Sequence, residues 1–385
     1  MKQTFQALVL IISGIFIASN LYTMLPLHPA LAEHFAATPA LTSLTSTLFI
    51  IFYACGLLCF GVLADLYSNA QILKSGMFAV TFVTALIALT DSLGMLLVLR
   101  AVQGFFAASF APPAFSYTFK RFSGARQAFV IAMINTGFLF AGIFGQLVSG
   151  FFGLSYGYPV VFVVFGLSYL CCALFMVAAL RPADAVDWRY ASISLTTILS
   201  FFKQSSLRKL YLISFFLLFT IMLFYSSFEW YMEERQEQLQ LSLQQFRMLG
   251  LIGVLPAFFV SRMQKHLHPA ILLCLFLSLM MGAFIPAMVS LSTATLIWAS
   301  VMMIASTSVT IPMVIVLIGT IAVTNRGSAL SIYSFVLLSG ASVGSFLAPF
   351  LPLEAAVYVI AVLFACFTLV SYRIYSKQEK ALPAK

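Results

Sequence analysis

In LRAVQGFF, residues 99–106, an arginine stands inside a run that is apolar from about Leu93 to Ala114. Arg100 and Gln103 are three residues apart, so a helix sets them one turn from each other on one face. A guanidinium holds five N–H donors and keeps its charge in proteins, while a Gln amide both donates and accepts. If the span starts near Leu93, Arg100 lies roughly 10 Å below the outer surface at 1.5 Å per residue. Placing it there costs roughly 2.5–3.5 kcal/mol unless it is hydrated or paired, which favours an inward-facing side chain over one snorkelling to the headgroups. No carboxylate falls within an apolar run of its own half. The contacts expected for Arg100 are therefore Gln103, Asn20 or Asn135, backbone carbonyls, water and a bound solute.

Other polar residues share this setting. ASNLYTMLPLHPALAEHF, residues 18–35, brings Asn20 and Tyr22 to the outer end of the first apolar run. His28 and His34 are expected as solvated outer-loop residues. Tyr225 is a further candidate for solute binding. Glu229, in SSFEWYMEE, is the acid nearest to a membrane position and a candidate for coupling. His, Cys, Asp and Glu show no metal-ligand spacing, so neither metal nor cofactor is expected.

The elements that position these groups follow from composition. The chain has 385 residues, 62% hydrophobic and 8% charged. A soluble domain carries about 25% charged residues, so this apolar surface must face lipid. The chain is expected to be an all-α membrane protein. Apolar runs of about 20 residues cross a bilayer as helices. Twelve spans are expected, near 5–25, 42–64, 71–90, 93–117, 127–150, 158–180, 208–228, 243–261, 268–288, 294–318, 328–351 and 355–375. Pro256, Pro286 and Pro312 interrupt the eighth to tenth. The first run is long for a signal-peptide core and is read as a span. The six cysteines all lie in apolar runs and are read as small buried apolar residues without disulfides.

The net charge of +9 is read as orientation rather than as nucleic-acid binding. With both termini inside, cytoplasmic segments hold 17 of the 20 Lys and Arg. Only Arg235 and Arg247 fall outside, and Arg100 is embedded. The outer loops are acidic. This asymmetry predicts a multi-pass topology with both termini cytoplasmic.

The chain also repeats. Gly137, Ala141 and Gly145 recur every four residues in the fifth span, and Gly340, Gly344 and Ala348 do so in the eleventh. Arg126 and Arg326 precede the two ladders. Such ladders let helix backbones approach closely, and Gly142 joins the first. The expected organisation is a six-helix bundle over 1–180, a cytoplasmic linker over 181–207 with an interfacial piece around Ile193–Phe202, a second six-helix bundle over 208–376, and a tail over 377–385. Duplicated halves of this kind place a solute site between them near the midplane.

Three motifs resemble those of the major facilitator superfamily. In GVLADLYSNAQ, residues 61–71, Gly61, Leu63, Ala64 and Asp65 match the signature after the second helix, while Leu66, Ser68, Asn69 and Ala70 replace its cations and glycine. The resemblance implies that Asp65 helps to lock the two halves on the cytoplasmic side, in part by facing a helix N-terminus, with fewer cationic partners than usual. The bland alternative is an Asp that ends a helix in water. Arg100, Gln103 and Gly104 match the fourth-helix motif. In NTGFLFAGIFGQ, residues 135–146, Gly137, Ala141, Gly142, Gly145 and Gln146 occupy the five positions of the motif of exporters, with identity at Gly137 and Gly145; close packing alone explains the same pattern. The start of the first span is similar to that of drug-efflux members.

The resemblance implies a secondary transporter that exports a small organic solute by alternating access, coupled by family analogy to protons. A buried cation without a buried anion implies a neutral or anionic amphipathic solute, a siderophore or opine-like compound being one form. The chain is expected to act as a monomer. A non-transporting sensor on the same scaffold is the alternative from another class; it calls for a soluble domain or a longer tail than Ser376–Lys385. No HExxH helix, nucleophile elbow or phosphate loop is present, which argues against an enzyme and against direct use of ATP.

Overall fold

The computed structural model describes residues 2–181, 201–234, 243–323 and 325–379, and every described element is helical. In chain order these are α1 (Lys2–Ser19), a 3-10 turn (Leu25–Leu27), α2 (His28–His34), α3 (Pro39–Leu66), α4 (Asn69–Ala88), α5 (Leu93–Ala107), α6 (Ala111–Arg121), α7 (Gly124–Tyr156) and α8 (Tyr158–Ala179). There follow α9 (Ser205–Glu234), α10 (Leu243–Gly250), a 3-10 turn (Leu251–Val254), α11 (Leu255–His266), α12 (Pro269–Ala283), α13 (Ile285–Val289), α14 (Thr293–Ile321), α15 (Arg326–Leu347) and α16 (Leu353–Glu379). Among the described residues, 11 helical stretches are long and apolar enough to cross a membrane, and Gln3–Ser19 is a shorter apolar helix. Apolar residues such as Phe82, Leu154 and Phe346 point outward, as a lipid solvent requires.

Two spans are broken where the sequence reading ran them straight. The first was expected to reach residue 25, but its helix stops at Ser19. The Ser19 hydroxyl donates to the Ile15 carbonyl and the Thr23 hydroxyl to the Ser19 carbonyl, while Asn20–Tyr22 N–H groups turn back three residues instead of four. Pro26 then lies within the 3-10 turn Leu25–Leu27. The fourth span breaks between α5 and α6. Pro112 and Pro113 open α6, and the Ser109 and Phe110 amides turn to Phe106 and Ala107. Pro256 follows the 3-10 turn of the eighth span and Pro286 follows the break at Phe284, whereas Pro312 sits within an unbroken α14.

The described residues form two compact units. The first gathers 2–122, 134–181 and 325–334; the second gathers 123–133, 201–323 and 335–379. In the first, α3 packs on α5 and α4 on α8. In the second, α14 is the most enclosed span, packing on α12 and α10. The two ladders do the same work in each. A Cβ at Gly145 would lie 2.7 Å from the Ser19 carbonyl oxygen and one at Gly137 2.9 Å from Ile15, both on α1. Gly142 faces the Tyr22 ring in ordinary contact. Gly340 and Gly344 rest directly on the backbone of Phe215 and Phe219 of α9.

One sequence expectation changes here. Only Cys172 is buried; Cys55, Cys59, Cys171 and Cys366 are exposed and Cys274 is intermediate, and all six are free thiols. An apolar thiol gains nothing by hiding from lipid. Most of the 181–207 linker, including much of the Ile193–Phe202 piece, lies outside the described residues, as do Arg235 and the end of the 377–385 tail.

Candidate functional site

Arg100 is fully buried in the first unit. Its Nε donates to the Thr45 carbonyl of α3 at 3.3 Å, and Nη1 donates to Asn20 Oδ1 at 3.1 Å and to Gln103 Oε1 at 2.6 Å. Nη2 donates to the Asn20 carbonyl at 3.2 Å. Four of the five N–H donors are therefore engaged, and none of their acceptors is a carboxylate. The break in α1 makes this possible: the backbone leaves the helix at Asn20, and the guanidinium takes up a carbonyl that no longer serves a regular turn. Irregular backbone at membrane depth needs such a partner. The guanidinium carbon also lies 4.3 Å from the Phe49 ring centroid, a cation–π contact in a water-poor setting.

A second layer holds the first. Gln103 Nε2 donates to Thr84 Oγ1 at 2.7 Å, and that hydroxyl donates to the Val80 carbonyl at 2.6 Å, tying α5 to α4. Gly104 lets the chain approach the Phe49 backbone so closely that any Cβ would collide with it. The Asn20 Nδ2 group, beside the cation, is buried and has no acceptor.

His28 opens α2 and is half-buried, with Nε2 3.1 Å from Ser46 Oγ. It is not the solvated loop residue expected from sequence, because the break after α1 folds α2 back against α3. His34 is exposed, its ring edge-on to Phe35 and Tyr158. Burial first, and then the positive charge of Arg100, hold the His28 imidazole below the usual histidine range.

The other candidates lie apart from this cluster. Asn135 is not a partner of Arg100. It lies two residues before Gly137, which packs against Ile15 and Ile11, five and nine residues before Asn20 in the chain; its Nδ2 is buried without an acceptor. Tyr225 belongs to the second unit, where its hydroxyl lies 2.8 Å from Ser300 Oγ. Arg247, read from sequence as outside the membrane, is on α10 with its guanidinium 5.6 Å from the Tyr225 ring. Glu229 is on α9, but its side chain lies outside the described residues.

Asp65, at the end of α3, accepts from the Gly327 N–H at 2.6 Å, the Ser328 N–H at 2.7 Å and the Ser328 hydroxyl at 2.6 Å. A carboxylate thus caps the N-terminus of α15, where the helix dipole favours negative charge. A Cβ on Gly327 would meet the Gly61 carbonyl at 2.5 Å and Asp65 Oδ1 at 2.8 Å, and one on Gly61 would collide with Ser331. The cations absent from residues 66–70 are supplied from elsewhere: the charges of Lys120 and Arg326 act on Asp65.

A family model, the Major Facilitator Superfamily, matches residues 10–317. The chain belongs to that superfamily. Superfamily membership agrees with the apolar helices of the described residues, which are those of a multi-pass membrane protein. The inner membrane transport protein YnfM of Escherichia coli K12 is 25% identical over 167 residues, 43% of this chain and 40% of that protein. The multidrug resistance protein B homolog of Mycobacterium tuberculosis H37Rv is 25% identical over 164 residues, 42% of this chain and 30% of that protein. The chain thus spans less than half the length of either relative. Two solved superfamily folds superpose along almost all of it. They are FucP in the outward conformation (TM-score 0.73, 15% identity, 96% of this chain and 98% of that one) and the human organic anion transporter MFSD10 (0.70, 16%, 95% and 99%). At such identities the likeness concerns the fold alone.

The Thr84 and Ser46 hydroxyls and the Phe49 ring complete the arginine cluster, and sequence reading missed them; the backbone carbonyls it expected are those of Thr45 and Asn20. Thr45, Thr84 and Ser46 look like any membrane Ser or Thr, and Phe49 is one aromatic among 40 Phe. Gly104, already part of the fourth-helix motif, was the one signal that α5 and α3 meet closely.

Proposed function

We propose that this superfamily transporter moves a neutral or anionic amphipathic organic solute out of a bacterial cytoplasm, across the inner membrane, by alternating access coupled to protons. Both termini then face the cytoplasm, as the basic residues require. The observation that carries the solute class is the Arg100 cluster. A buried cation partnered only by neutral acceptors leaves a net positive charge, and beside it the Asn20 amide donor lacks an acceptor. Both call for an oxygen-bearing, electron-rich ligand, and a cationic solute would meet repulsion without a counter-charge. Export is supported by the exporter-like glycine positions of α7 and by the name of the mycobacterial relative. Asp65 at the α15 N-terminus is proposed as the latch that must release in each cycle.

Counterflow in proteoliposomes tests this with an aryl sulfonate, an uncharged amphiphile and a quaternary ammonium. The expected order places the sulfonate or the neutral compound above the ammonium. Arg100→Gln lowers sulfonate transport at least about tenfold, since hydrogen bonds to charged groups contribute about 1.5–3 kcal/mol, while membrane insertion persists. A preference for the ammonium, or sulfonate transport indifferent to Arg100→Gln, would refute the reading.

A further inference from the structure

The spans of the first unit offer no carboxylate to Arg100, yet an imidazole is built into the same assembly. His28 and Arg100 are joined along two short routes. One is the α3 backbone: Ser46 bonds His28, and its neighbour Thr45 bonds Arg100. The other is the irregular segment between α1 and α2, which Arg100 grips at Asn20 and which ends at His28. That segment is also held at Thr23, whose carbonyl accepts from the Ser149 hydroxyl of α7.

We propose that His28 binds a proton in linkage with solute at the Arg100 cluster, setting the pH dependence of solute affinity rather than carrying the proton exchanged in export. This rests on the anionic-solute reading above. A negative solute at the guanidinium cancels the field that opposes a charged imidazole. His28 then takes a proton from water at the nitrogen turned away from Ser46, and Ser46 accepts from the other. No bond to the solute forms and nothing is oxidised. Linkage is reciprocal, so a protonated His28 in turn strengthens binding of the anion.

The surroundings isolate this pair. Glu33 and His34, on the same helix as His28, are exposed. Tyr22 precedes α2 and Tyr53 is on α3, both uncharged at neutral pH. Asp65, the one carboxylate on α3, is 19 residues beyond Ser46, or about 28 Å along the helix. Arg100 is the charge that acts on His28.

The test is calorimetric titration of the purified full chain with naphthalenesulfonate, which stays anionic throughout, near about pH 5.5 and about pH 8, on either side of the histidine range. Two buffers of different ionisation heat give the proton count. For the wild type the expected Kd is about fivefold or more lower at the acid pH, the low end of ordinary coupling, with net proton uptake on binding. His28→Gln, which keeps a partner for Ser46, should show nearly equal Kd values and no uptake. Ser46→Ala should keep the sign of the effect. Proton release, or none exchanged, in the wild type overturns the proposal however the variants fold. A His28→Gln protein with wild-type pH dependence overturns it and leaves the anionic-solute reading standing. No sulfonate binding at either pH overturns both.

Discussion

Arg100 gives up its hydration for bonds to two helices and one broken turn, and every one of those bonds depends on a neighbour being in place. Removing one partner of a buried charge strands it, at about 3–5 kcal/mol. Arg100→Lys keeps the charge but not the planar fork, so it cannot reach Thr45, Asn20 and Gln103 together. We expect its detergent melting temperature to fall clearly below wild type, with more than a tenfold loss of counterflow. Gln103→Leu deletes one acceptor and the bond to Thr84, for which about 1–3 kcal/mol is expected; equal melting of wild type and Gln103→Leu would show that the second layer is slack. The arginine was legible in the sequence because a charge in an apolar run has few explanations. Asn20 and Gln103 were legible as its partners for the same reason. His28 was not: its burial depends on α2 folding back, and loop and lid histidines share one sequence signature.

Helices of some 20 apolar residues announce themselves, so the spans could be placed to within a few residues. Their interruptions could not, because a membrane proline is compatible with a kink, a break or neither. Pro112–Pro113 broke a span and Pro312 did not. Two helix ends carry predictions. At the α15 N-terminus, Asp65→Asn removes the charge and turns an NH2 toward one of the two backbone donors, so slower counterflow is expected. Gly327→Val, which drives a side chain into Gly61 and Asp65, should act in the same direction and more strongly; a transporter unaffected by either has no latch there. At the α12 N-terminus, His268 Nδ1 accepts from the Ala270 N–H at 3.2 Å, and burial lowers the affinity of this imidazole for protons. The unfolded chain then binds the proton more readily than the folded one. The contribution of His268 is therefore present above the ordinary histidine pKa and fades as pH falls through the lowered one. His268→Asn, a capping residue that does not titrate, should flatten part of the acid decline in melting temperature between about pH 7.5 and 5, a cap being worth about 1 kcal/mol. An unchanged decline would place the acid sensitivity elsewhere.

Across the molecule, the repeat seen in the sequence reappears as packing. The fifth span rests its small residues on the first, and the eleventh rests its own on the seventh. Bulky replacements at Gly145 and Gly340 should therefore destabilise to a similar degree. The composition of the compact units was not legible, since the openings of α7 and α15 each group with residues of the opposite half, and span counting cannot see such an exchange. Orientation is checked most simply by a fluorescent protein fused after Lys385. It should mature and glow on the cytoplasmic side, and a dark fusion with active alkaline phosphatase at the same site would invert the topology.

The Asn20 carbonyl already sits where a ligand oxygen would sit on the guanidinium. On the reading proposed above, an anionic solute that displaced this resident oxygen would trade a neutral acceptor for a charged one and keep as profit only what its charge adds. Such an exchange makes arrival and departure nearly equal in difficulty, which is what a carrier needs and a storage protein does not.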